Sequence, residues 1–189
     1  KISKLCSEIS NSVPGDTAIF FPSYDLLNKV NLTFLNESEK TVFIEKPGLT
    51  KQERQEMIDK FKSYNKAGAV LLGAASGSFG EGIDLPGDFL KCVIVVGLPL
   101  AKPDLETQEL INYYDSLFAK GWDYAYIYPA IIKSLQNAGR CIRSETDKGC
   151  IIFLDERYSW QSYKKCFPSD ANFETTKIPV PRIKEFFEN

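Results

Sequence analysis

Short apolar runs alternate along this chain with stretches whose apolar positions recur at helical spacing. Thr17–Phe21, Thr41–Glu45, Ala69–Gly73, Cys92–Gly97 and Gly149–Leu154 are apolar almost throughout, not at every second residue. That pattern predicts strands covered on both faces. Helices are predicted between them. Ile2–Ser10 is closed by Pro14-Gly15. Ser23 can cap a short helix reaching Lys29. Thr50-Lys51-Gln52-Glu53 is a capping box opening a helix to about Tyr64, with Met57, Ile58 and Phe61 on its inner stripe. Pro103-Asp104 starts a helix to about Ala119, with Leu110, Tyr114, Leu117 and Phe118 inward. Strands separated by helices predict βαβ units, hence an α/β fold with a parallel sheet. Such sheets keep ligand sites at the carboxyl ends of their strands.

The last predicted helix, Ala130–Ser144, carries the most informative residues. At about 100° per residue, Gln136, Gly139, Arg140 and Arg143 share one face. Ile131, Leu135, Ala138 and Ile142 lie on another, suited to burial. One side then rests on the sheet, and the other presents two guanidiniums, an amide and a glycine that keeps close approach open. Arginine's planar fork grips phosphate oxygens and stays charged.

A second feature is the segment Gly73–Gly82, in which eight of ten residues are Gly, Ala or Ser. Glycine at this density lets a backbone approach a ligand. The segment follows a predicted strand, where a parallel sheet keeps its site. Glu81 and Asp84 adjoin it. Beside phosphates a bare carboxylate is repelled, so Asp84 belongs on a ribose hydroxyl, an arginine or a metal-bound water.

Composition narrows the chemistry. The chain has 189 residues, enough for one domain with a core, and no repeat or interdomain linker stands out. We expect one domain over 1–189, with its core at about 4–158 and a less regular, loosely packed extension over 159–189. The absence of histidine removes Ser-His-Asp and Cys-His catalysis. The net charge of −2 excludes a global basic field, so nucleic acid would need a local groove. Five cysteines with no Cys-x-x-Cys spacing suit buried free thiols in a reducing, intracellular compartment, with no metal site. No apolar run is long enough to span a membrane. No Gly-Lys dipeptide occurs, so the chain lacks a Walker A loop. Without one, Ile151–Glu156 is a Walker B lookalike only, and Asp155 and Glu156 are expected to be solvated strand-end residues.

Three segments together carry a resemblance. Gln136-x-x-Gly139-Arg140-x-x-Arg143 resembles motif VI of superfamily 2 helicases. Gly80-Glu81-Gly82-Ile83-Asp84 resembles motif V of the XPD/DinG branch, and Phe20-Phe21-Pro22-Ser23-Tyr24 resembles its motif IV. They follow the family's order, and Thr146-Asp147-Lys148-Gly149 fits the continuation. The chain thus looks like the second motor domain of an XPD-type DNA helicase. The resemblance implies a three-layer RecA-like fold, ATP and Mg2+ shared with a first motor domain, and a single-stranded DNA track. It makes Arg143 an arginine finger, with Arg140 beside it and Gln136 positioning water or phosphate. Gly82, Asp84, Glu81 and Gly139 fall at the nucleotide edge; Ser23, Tyr24, Ser76 and Ser78 fall on the DNA side. Relatives often carry a basic residue where Ser76, Gly77 and Ser78 stand here. The family's phosphate loop and 4Fe–4S insertion would lie in the parent protein only. Because the chain opens at Lys1, directly in a helix, we expect a fragment, monomeric and inactive as an ATPase by itself. The competing reading is a stand-alone, non-catalytic α/β module for an anionic ligand or a protein partner.

Overall fold

The structure, a computed structural model, describes residues 1–82, 89–100, 103–142, 144 and 147–188. Among these, five strands form one sheet: β1 (Asp16–Phe21), β2 (Thr41–Ile44), β3 (Ala69–Ala74), β4 (Leu90–Val96) and β5 (Cys150–Leu154). Their order is β2-β3-β1-β4-β5, and every pairing is parallel. The helices are α1 (Ile2–Ser12), α2 (Tyr24–Glu37), α3 (Lys51–Ser63), α4 (Ser78–Gly82), α5 (Leu105–Phe118), α6 (Tyr128–Ala138), α7 (Gln161–Lys164) and α8 (Pro179–Glu188).

Burial on both faces explains the unbroken apolar strands. Within β1, Ala18 and Phe20 enter one helical layer with Ile58 and Phe61 of α3, Phe79 of α4 and Ala138 of α6. Ile19 and Phe21 enter the other, with Cys6 and Ile9 of α1 and Leu27, Val30 and Phe34 of α2. The result is a three-layer α/β/α fold. The capping signals hold: Ser23 accepts from the Leu26 amide at 3.3 Å, and Thr50 and Glu53 cap each other. Ile58 and Phe61 are buried, as their spacing predicts.

Four expectations are corrected. The helix opened by Ser23 continues to Glu37, because Leu27, Val30 and Phe34 keep a buried stripe past Lys29. The helix opened by Asp104 does not turn Leu110, Leu117 and Phe118 inward; they are 41%, 54% and 56% exposed, and Tyr114 is half-buried. That helix buries Ile111 and leans on a π-helical turn, Asp123–Ile127, through ring contacts such as Tyr114–Tyr124, not on the sheet. The tail is irregular after α7, but its last helix is not loosely packed. Ile183 of α8 is buried in the α1/α2 layer, with Val180 and Phe187 against it. Asp155 is not a solvated strand end either: it is half-buried and ion-paired to Arg157, Oδ2 to Nη2 at 2.6 Å.

At the amino end of the sheet, Asp16 is fully buried. Its Oδ1 accepts the Ala69 amide at 2.8 Å, while Oδ2 has no hydrogen-bond partner. Burial pushes its pKa up to about 6, against the pull of the Ala69 amide and the Lys40 ammonium. A carboxyl raised in the folded state holds its proton more tightly there than in the unfolded chain. The stability this confers is complete below about pH 4 and disappears as pH rises through about 6. We expect a contribution on the order of 1–2 kcal/mol, discounted for screening beside half-buried Lys40. Asp16→Asn keeps the acceptor and removes the titration. Urea midpoints at pH 4.5 and 7.5 should therefore converge in the variant relative to the parent chain. Identical pH slopes in the two would refute the assignment.

Candidate functional site

The site is built where β1, β2 and β3 end, at the carboxyl edge of the sheet. β3 runs into Ala75-Ser76-Gly77 and then into the single turn of α4. The Ala75 amide donates to the Phe21 carbonyl at 2.7 Å, which ties this loop to the end of β1. β2 ends at Ile44, and the next residue, Glu45, is the centre of the arrangement.

Glu45 is 1% exposed. An ionised carboxylate out of water must be densely hydrogen-bonded. Its Oε2 accepts the Ala74 amide at 2.8 Å; its Oε1 accepts Ser78 Oγ at 2.8 Å and the Phe79 amide at 3.1 Å. The Tyr24 hydroxyl lies beside this carboxylate, the two flanking the same face of Gly77. Burial, and then the neighbouring Glu45 charge, push the Tyr24 phenol up to about 12. A negative group thus caps the amide end of α4, where helix geometry favours one.

This accounts for much of the glycine in the segment. A Cβ on Gly77 would lie 2.5 and 2.6 Å from the two Glu45 oxygens and 2.7 Å from the Tyr24 hydroxyl. One on Gly73 would lie 3.1 Å from Glu45 Oε2, and one on Gly80 would run into the Ala75 carbonyl. These three glycines admit the protein's own groups. The expectation that they leave room for a ligand is corrected for those positions.

From the other side comes α6. It stops at Ala138, six residues before the predicted end at Ser144. Gly139, at φ −63° and ψ −3°, tightens the last turn, and Cys141 turns in to be buried, with Sγ toward the Leu90 carbonyl at 3.5 Å. Arg140 therefore does not stand on a helix face with Gln136, and Ile142 is 43% exposed, not buried. The short turn instead carries Arg140 to α4, where its Nη2 donates to the Gly80 carbonyl at 2.5 Å. Asn137, fully buried, adds a second tie: its Nδ2 donates to the Ala75 carbonyl at 3.2 Å and to the Lys133 carbonyl at 2.9 Å.

Ser78, Gly80 and Arg140 are thus joined into one hydrogen-bonded unit through Glu45 and α4, with the Tyr24 hydroxyl packed beside it. Ser23, Ser76, Gln136 and Gly139 are exposed. Ser23 Oγ is engaged as the cap of α2. Glu81 and Gly82 close α4. Asp84 and Arg143 lie outside the described residues. Among the described residues, no group of three or more His, Cys, Asp or Glu side chains could hold a metal ion. No described helix is long and apolar enough to cross a membrane.

Sequence reasoning missed Glu45 and Asn137. Glu45 gave one faint signal, an acid directly after an apolar strand. Asn137 gave a clearer one. It falls on the stripe Ala130, Ser134, Asn137, all buried, where a polar side chain must find internal partners.

A five-stranded parallel sheet between two helical layers is the architecture of a RecA-like domain. The chain belongs to the helicase C-terminal domain family, which it matches over residues 6–172, in the XPD/DinG branch of superfamily 2. It is 33% identical over 183 residues to the 3'-5' exonuclease DinG of Staphylococcus saprophyticus subsp. saprophyticus, covering 95% of this chain and 19% of that protein. It is 31% identical over 166 residues to the ATP-dependent DNA helicase DinG of Photobacterium profundum, covering 85% of this chain and 24% of that protein. A solved XPD helicase shares the fold, with a TM-score of 0.68 at 21% identity, over 87% of this chain and 29% of that one. The chain therefore spans about a fifth to a quarter of the length of these curated relatives.

Proposed function

We propose that this domain is the second motor half of an ATP-dependent DNA helicase, acting on a triphosphate held by a first RecA-like domain of the same enzyme. The observation that carries the reading is Arg140, brought by the turn after α6 to the Gly80 carbonyl at the carboxyl edge of the sheet. Membership in the helicase family supports it, as does the name ATP-dependent DNA helicase on the Photobacterium profundum relative.

The donors present fit a triphosphate. Arg140 and Arg143 supply two fixed cations from one segment, and Arg140 already occupies the edge where parallel sheets bind ligands. Bound ATP with Mg2+ supplies the energy of phosphoryl transfer, with the metal held in the first motor domain. Arg143 is the arginine finger, stabilising charge that develops on the phosphate oxygens. Arg140 anchors α4 and adds positive charge beside it. Gln136, exposed at the end of α6, orients water or phosphate. Gly82, Asp84, Glu81 and Gly139 form the nucleotide edge. Ser23, Tyr24, Ser76 and Ser78 form the DNA side. Resemblance to XPD extends the proposal to 5′→3′ movement on single-stranded DNA, to nucleotide excision repair inside the cell (in the cytoplasm of a microbe), and to a 4Fe–4S cluster in the parent's first motor half.

Phosphoryl transfer needs both motor halves to hold and stabilise the triphosphate. The isolated 189-residue chain should therefore show no DNA-stimulated ATP hydrolysis, whereas the complete enzyme should. A coupled phosphate-release assay with and without oligothymidine decides the point. Robust turnover by the isolated chain would contradict the proposal.

A further inference from the structure

Glu45 belongs to none of the three segments that resemble helicase motifs, yet it lies beside Tyr24 of the first and bonds to the turn that leads into the second. Its donors come from Ala74, Ser78 and Phe79, up to 34 residues away in sequence, and the Tyr24 hydroxyl lies beside it across Gly77. β2 is the edge strand, so this side chain reaches inward past the end of β3 to meet the residue that opens α2. Filling the same space with an apolar side chain would cost less than burying a charge. A buried ion that is kept, with every oxygen engaged, can fix one arrangement of the groups around it.

We propose that Glu45 is a positioning residue for the DNA-facing edge of this domain, locking Tyr24 and the Ser78–Phe79 turn into one rigid surface against which a single strand is held. The inference rests on the motor reading above. It also divides labour among the polar residues of that edge. The Ser78 hydroxyl donates to Glu45, so its proton does not face outward, and the Tyr24 hydroxyl lies on the inner side of Gly77 beside the same carboxylate. Tyr24 is left with its half-buried ring, which can stack on a base whatever the sequence. Ser76, exposed at the tip of the loop, is the hydroxyl placed to donate to a phosphate. The middle of α4, at Gly80, is tied to Arg140, so the same clamp holds the turn that separates the DNA side from the nucleotide side.

The test uses the complete enzyme and its Glu45→Gln and Tyr24→Phe variants. Glu45→Gln keeps the size of the side chain but turns an NH2 group toward donors. Tyr24→Phe keeps the ring and removes the hydroxyl that lies beside the carboxylate. Two quantities are measured: the oligothymidine concentration giving half-maximal ATPase, and kcat at saturating oligothymidine. Glu45→Gln should raise the first about tenfold, the scale of one lost base stack, and change kcat less than about threefold. Tyr24→Phe should shift the first in the same direction by a smaller factor. A folded Glu45→Gln enzyme with unchanged half-saturation overturns the proposal, and so does one whose kcat falls while half-saturation stays put. Where Glu45→Gln fails to fold, Tyr24→Phe decides alone, and unchanged half-saturation overturns the proposal. Binding of fluorescein-labelled oligothymidine, followed by anisotropy, separates the two readings. A wild-type enzyme that binds the strand but hydrolyses no ATP sinks the motor reading, and the Glu45 comparison then stands on affinity. A wild-type enzyme that binds no strand overturns both.

Discussion

Arg143→Ala in the complete enzyme is expected to lower ATP turnover at saturating DNA by about 10³-fold or more, the range seen when arginine fingers are removed elsewhere. The effect should fall on kcat. A finger stabilises charge that exists in the transition state and contributes little to holding the ground-state nucleotide. Arg143→Lys should recover only a small part, since an ammonium keeps the charge but not the two-pronged grip. Thermal melting of the same preparations separates lost chemistry from lost fold. Turnover within about tenfold of wild type in a folded Arg143→Ala enzyme would remove the finger from this position.

The second large effect concerns stability. Gly77→Ala would place a methyl carbon 2.5 to 2.7 Å from both Glu45 oxygens and the Tyr24 hydroxyl. Glu45 is 1% exposed, so its carboxylate cannot retreat to water without opening the site. Pushing it aside strands a buried charge from its donors, a loss of about 3–5 kcal/mol for broken buried ionic contacts. Gly48 is the control. It sits at a positive φ of 80°, but a Cβ there meets nothing within 4 Å. Gly48→Ala should cost only about 1 kcal/mol, from backbone strain. Denaturant midpoints measure both. A Gly77→Ala chain as stable as Gly48→Ala would show that Glu45 yields easily.

The two effects depend on different kinds of information. The choice of Arg143 comes from the resemblance of Gln-x-x-Gly-Arg-x-x-Arg to motif VI of superfamily 2 helicases. Gly77 stands out in the sequence as part of a small-residue run, but the reason that run is small is not visible there. Glycine in a loop is compatible with an approaching ligand, a positive φ or an internal neighbour. At Gly77 only the position of Glu45, 32 residues earlier, discriminates among them.

Helix boundaries show the same division. The start of α2 is legible because Pro22 stops the strand and Ser23 caps the helix within a few residues. The end of α6 is not. Gly139 has helical φ, and the apolar spacing continues through Ile142, so nothing local halts the helix. Burial of Cys141 against β4 stops it, and that contact spans 51 residues. For α5, spacing shows that an apolar face exists but not what lies beneath it. The face rests on the π-helical turn and leaves Leu117 and Phe118 in the open.

What the sequence determined by itself is the layered α/β fold with its parallel sheet, the caps that begin its helices, and the family to which its arginine and glycine segments point. Those follow from interactions a few residues apart: apolar periodicity, hydroxyl and carboxyl caps, and motif spacing. The tertiary structure decided how the site is held: Glu45 buried among its donors, Asn137 tied to Ala75, and Arg140 turned onto Gly80. A buried charge is tolerable only where several distant segments converge to solvate it, and that convergence exists only in the folded chain.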